Sequence, residues 1–92
     1  MSSPHFNLSV STDQNTGKLL AVYLQVRDGN AHETTEIAEG RAYADYDSEG
    51  QLIGVELLAP CRVQVLDSIA QKESDEVREF LHSSPPRSMV VA

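Results

Sequence analysis

The sequence predicts a small α+β domain: an antiparallel sheet of four to five strands built from two hairpins, with one or two C-terminal helices packed on one face. Three observations lead to it. Apolar residues alternate with period two in four stretches before Pro60, and beyond it they follow helical spacing. Clusters of turn-forming residues separate the alternating stretches. The length of 92 residues allows one domain, whose core is small because such a chain buries only roughly 60–65% of its unfolded surface.

From His5 to Thr12, Phe6, Leu8 and Val10 alternate with Asn7, Ser9 and Ser11, the pattern of a half-buried strand. Asp13-Gln14-Asn15-Thr16-Gly17 is a turn cluster. Alternation resumes from Lys18 to Val26, with Leu20, Val22, Leu24 and Val26 on one side. Leu19, Ala21, Tyr23 and Gln25 take the other, which makes this strand apolar enough to be central. Pairing Thr12 with Lys18 sets Val10 against Leu20, Leu8 against Val22 and Phe6 against Leu24, uniting the apolar sets on one face.

Asp28-Gly29 marks the next turn. Glu33–Ala38 is a short, weak strand that Gly40 breaks. Arg41–Asp47 alternates again, with Ala42, Ala44 and Tyr46 facing one way, and Leu52–Leu58 follows with Ile53, Val55 and Leu57 on one side. An even loop pairs Tyr46 with Ile53, Ala44 with Val55 and Ala42 with Leu57. A three-residue loop instead sets Asp45 against Ile53 and mixes charge into the apolar face, so the even loop is expected. Pro60 ends the strand, having no N–H for a ladder. Beyond it, Leu66, Ile69, Ala70, Val77, Phe80 and Leu81 predict helices at about Val65–Gln71 and Asp75–His82. Ser74 caps the second, ahead of Asp75 and Glu76. Ser83-Ser84-Pro85-Pro86 closes the domain at residue 82. The tail 83–92 reads as disordered or as a short strand in search of an edge.

Fourteen acids against seven Lys and Arg give a net charge of -7 and a pI near 4.7, which excludes a basic footprint for nucleic acid. The imbalance is local. Asp28–Glu56 holds eight acids (Asp28, Glu33, Glu36, Glu39, Asp45, Asp47, Glu49, Glu56) against Arg41 alone, a balance of -7, while the remainder has six of each sign. A single cysteine excludes an intramolecular disulfide. No apolar run approaches the ~18–20 residues of a membrane span, and the polar start Met1–His5 lacks a signal-peptide core, so a cytoplasmic protein with no membrane contact is expected.

Asp45, Asp47, Glu49, Gly50 and Glu56 fit the calcium-loop pattern D-x-[DN]-x-[DN]-G-x5-E except at Glu49. That loop works between helices, however, and both flanks here alternate as strands, so a metal site on Asp45, Asp47, Glu49 and Glu56 is the secondary reading. His5, His32 and His82 lie in separate segments and read as surface residues. Cys61 has no triad pattern around it and reads as a small apolar residue. Four glycines fall in turns; Gly54, inside a strand, signals a bulge or a close backbone approach. No catalytic set and no cofactor is expected, and an enzyme that gathers Tyr23, Tyr43, His32 or Cys61 with acids ranks last.

T-E-I-A-E-G at Thr35–Gly40 and D-Y-D-S-E-G-Q-L-I-G-V-E-L-L at Asp45–Leu58 resemble a family of small prokaryotic proteins catalogued as domain of unknown function 2283. Ala21-Val22-Tyr23-Leu24 is similar to its A-L-Y-I segment. The likeness covers about two-thirds of the chain and implies a β-rich fold with no established activity, cofactor or catalytic residue. By analogy it implies an antitoxin-like role beside a small basic protein. The resulting expectation is a non-enzymatic interaction module, its partner surface formed by Glu33, Glu36, Glu39, Asp45, Asp47, Glu49 and Glu56. With so small a core, sheet edges or helices are expected to pair in a homodimer.

Overall fold

The computed structural model describes residues 4–37, 40–58, 61–84 and 90–91. Strands β1 (Pro4–Thr12), β2 (Leu19–Arg27), β3 (Glu33–Ile37), β4 (Ala42–Tyr46) and β5 (Leu52–Leu58) form one antiparallel sheet, in the order β1-β2-β5-β4-β3. β6 (Cys61–Arg62), helices α1 (Val63–Ala70) and α2 (Asp75–Ser83), and β7 (Val90–Val91) follow. The expected α+β class is what forms, with five strands and two short helices.

The two most apolar strands, β2 and β5, are the ones at the centre. One face of the sheet supplies Val22, Leu24, Val26, Ala42, Ala44, Leu52, Val55 and Leu57 to the core. Leu66, Ile69, Ala70, Val77 and Leu81 of the helices pack against them. Burying these side chains is the main favourable term in the fold. Ala42 and Ala44 are fully buried, and their small side chains leave room for the helical layer above β4.

The β1–β2 and β4–β5 turns each close on an aspartate. Asp13 Oδ1 accepts the N–H groups of Asn15 (2.8 Å) and Thr16 (2.9 Å), and these bonds hold its carboxyl below the usual carboxylate range. Asp47 Oδ1 accepts those of Glu49 (2.9 Å) and Gln51 (2.8 Å). Gly17 (φ 72°) and Gly50 (φ 81°) take the left-handed positions that such turns need.

These turns overrule both expected registers. Asp13 N–H donates to Lys18 O, so Thr12 faces Leu19 in place of Lys18. Between Ser11 and Thr12 the register shifts by one residue, with Leu20 as the extra residue, and Val10 then meets Val22 and Leu8 meets Leu24. Leu20 is therefore exposed, while Leu19 packs against the core. In the second hairpin Asp47 N–H donates to Gln51 O, a three-residue loop in place of the expected even one. Tyr46 pairs with Leu52, a bulge at Ile53 absorbs one residue, and Asp45 then meets Gly54. Ala44–Val55 and Ala42–Leu57 pair as expected. Ile53 leaves the apolar row and packs under the β2–β3 connection, where a Cβ on Gly29 would lie 3.1 Å from its Cδ1. In each hairpin one bulged residue just after the turn restores the parity that the turn geometry breaks.

The helices form where spacing places them: α1 begins two residues and ends one residue earlier than expected, and α2 begins at Asp75 as expected and ends one residue later. Ser74 is the N-cap of α2: its hydroxyl accepts the Val77 N–H at 3.5 Å. Ser74→Ala is expected to cost about 1 kcal/mol in chemical denaturation, and Ser74→Asp to retain most of that stability. Arg27 ties the helical layer to the sheet, donating to Leu52 O at 2.7 Å and standing 3.6 Å from Glu73 between the helices. α2 reaches Ser83, and in the tail Val90–Val91 pairs in parallel with Cys61–Arg62. Pro60, Pro85 and Pro86 lie outside the described residues.

Candidate functional site: an acidic and aromatic sheet face

The helices cover one face of the sheet. On the other, ladder pairing aligns residues of all five strands in rows. Ser9, Tyr23, Glu56, Tyr43 and Glu36 are successive neighbours across β1, β2, β5, β4 and β3. The adjacent row is Asn7, Gln25, Gly54, Asp45 and Thr34. Carboxylates thus alternate with phenol rings along the first row, and the second carries Asp45 between Gly54 and Thr34.

The two rows are locked together at Gly54. Tyr23 lies across this glycine and its hydroxyl donates to Asp45 Oδ2 at 2.9 Å. A Cβ at position 54 would overlap the phenol end of that side chain, closest to the hydroxyl and 2.8 Å from Cε2. The other carboxylate oxygen, Asp45 Oδ1, accepts the Thr34 hydroxyl at 2.7 Å. Burial pushes the Tyr23 phenol well above its ordinary range, and the Asp45 hydrogen bond and the charges of Asp45 and Glu56 push the same way.

The expected partner residues do not form one surface. Glu36, Asp45 and Glu56 share the open face, and Asp45 is partly buried there under its two hydroxyl donors. Glu33 pairs with Tyr46 and so lies on the helix side of the β3 edge. Burial there raises the Tyr46 phenol, with Glu73 and then Glu33 as further causes. Asp47 is engaged by its own turn, and Glu49 is exposed at the tip. Glu39 lies outside the described residues.

Helical flanks are absent from the calcium-like segment, which runs from β4 through a turn into β5. Among the described residues no group of three or more His, Cys, Asp or Glu is placed to hold a metal ion. His5, His32 and His82 are exposed at separate places, His5 3.8 Å from Asp28 and His82 3.2 Å from Asp67. Among the described residues no helix is long and apolar enough to cross a membrane.

Alternation set Tyr23 on the side away from the apolar row, but sequence reasoning did not count Tyr23, Tyr43 or Thr34 in the candidate surface. Gly54 carried a signal of close approach, but its partner is set by β2–β5 pairing, which alternation does not encode. Compared with known proteins, the chain matches no family model, no curated protein and no solved structure.

Proposed function

We propose that the chain is a non-enzymatic protein-interaction module, related to the family its D-Y-D-S-E-G segment resembles and antitoxin-like toward a small basic protein. The observation that carries this reading is the sheet face opposite the helices, where Glu36 and Glu56 alternate with Tyr43 and Tyr23. A Lys- or Arg-rich segment laid across this row meets carboxylates for its charges and phenol rings for its cations and methylene stems. Charge of this density speeds encounter and makes binding salt-sensitive. Ser68 and His82 line one surface hollow with Asp67, but the Ser68 hydroxyl donates to Val65 O and His82 lies against Asp67, and Tyr23 and Asp45 are hydrogen-bonded to each other.

A pull-down from the native host, washed at low and at high salt, is expected to retain a small basic protein only at low salt. The double substitution Glu36→Lys and Glu56→Lys is expected to abolish that capture while leaving the melting temperature within a few degrees, because neither residue contributes to the core. Capture that ignores both salt and the double substitution rejects the reading. A cation site on Asp45, Asp47, Glu49 and Glu56 is the competing proposal; heat on calorimetric titration with calcium or magnesium would favour it.

A further inference from the structure

We infer that β1 is the dimer edge of this protein: two copies pair β1 with β1 in antiparallel fashion and continue the sheet across a twofold axis. The inference is independent of the acidic face, which lies on other strands. Among the described residues, the large apolar side chains left exposed are Phe6, Leu8, Val10 and Leu20, all on β1 or its bulge partner. Leu8 is 41%, Val10 54% and Leu20 50% exposed, although Leu8 and Val10 point to the same face as the core residues Leu24 and Val22. At this edge the helical layer meets Phe6, whose ring stacks on Phe80 at 4.6 Å between centroids.

The two sheet edges differ in kind. β3 is five residues long and carries Glu33 and Glu36, a length and charge that deter strand addition. β1 is nine residues long; past a register shift between Pro4 and Asn7 it pairs regularly through Ser11, and from His5 to Thr12 it has no Asp, Glu, Lys or Arg and no proline. Such a strand, with one side unpaired, is a template for another strand.

A second copy fits this edge better than a basic partner does. The edge offers no carboxylate to a cation, and its apolar–polar alternation is its own complement. Pairing centred on Leu8, the midpoint of Pro4–Thr12, sets Leu8 against Leu8 and Phe6 against Val10, with every apolar side chain on the helix side. The net charge of -7 does not oppose it. Glu56 on β5 and its copy are separated by five strand spacings, about 24 Å, against a screening length of about 8 Å. The acids of β4 and β3 lie farther apart still.

Sedimentation of the wild-type chain over a concentration series tests this, with Leu8→Lys, Leu8→Glu and an equimolar mixture of the two. The wild type is expected to pass from monomer to dimer. Each variant alone is expected to stay monomeric because like charges meet at the axis, and the mixture to dimerise again. Circular dichroism of each variant reports whether it folds; Val10→Lys, at a more exposed position, replaces Leu8→Lys if that one does not. Amide exchange along β1 is expected to slow as concentration rises. A wild type monomeric at every concentration overturns the inference, as does a Leu8→Lys chain that dimerises like the wild type. Slow β1 exchange in a monomer assigns the edge to another segment of the same chain and also overturns it.

Discussion

Gly54→Ala is expected to destabilise the protein by about 2–3 kcal/mol, a large loss for one methyl group. The added Cβ occupies the space of the Tyr23 ring. If the ring stays, neighbouring strands must shift to relieve the overlap, as in an overpacked core. If it swings away, the hydrogen bond to the Asp45 carboxylate is lost, and bonds to charged groups contribute about 1.5–3 kcal/mol. The same substitution in a Tyr23→Ala background is expected to be neutral or stabilising. Glycine inside a strand costs roughly 0.5–1 kcal/mol relative to alanine, and with the ring gone only that term remains. A double-mutant cycle by urea denaturation measures both values. Equal costs in the two backgrounds would show that the ring does not need the glycine.

The second large effect appears in alkali. Folding raises the Tyr23 phenol above its ordinary range, chiefly through burial and then through Asp45 and Glu56. The folded state therefore holds this proton more tightly than the unfolded chain does. Its contribution is complete below the unfolded value near 10 and is lost as pH rises from there toward the folded value. The wild type is expected to keep a level melting temperature up to about pH 9 and to lose it steeply above about pH 10. Tyr23→Phe is expected to cost about 1.5 kcal/mol at neutral pH, through the lost bond to Asp45, and to flatten the alkaline decline. Tyr46, raised in the same direction, leaves part of the decline in place. Tyrosinate absorbance followed alongside unfolding is the check. A decline of unchanged steepness in Tyr23→Phe would place its origin elsewhere.

The elements themselves were legible from the chain. Alternation located β1, β2, β4 and β5, and the weak stretch after Glu33 proved to be the edge strand β3. Helical spacing and Ser74 located α1 and α2. What alternation could not resolve were the two bulges beside the turns, and the reason is chemical. Leu19-Leu20 and Leu52-Ile53 are adjacent apolar pairs, so either member could face the core, and only the aspartate-closed turns decide between them. The acidic residues were legible as a concentration of charge but not as a surface. Whether Glu33 or Glu36 faces the open side follows from pairing across β3 and β4, and the position of Tyr23 follows from a neighbour far along the chain.

That distant pairing has a further consequence. The two hairpins close over tight turns, whereas β2 joins β5 through pairs such as Gln25 with Gly54, 29 positions apart. Closing such a loop is where chain entropy is chiefly spent. The same seam unites the apolar rows of the two hairpins and brings the Tyr23 hydroxyl to Asp45. Cost and reward fall at one junction, and neither hairpin alone has a second layer to bury its apolar side. The sheet is thus a single cooperative unit whose halves gain their stability only from each other.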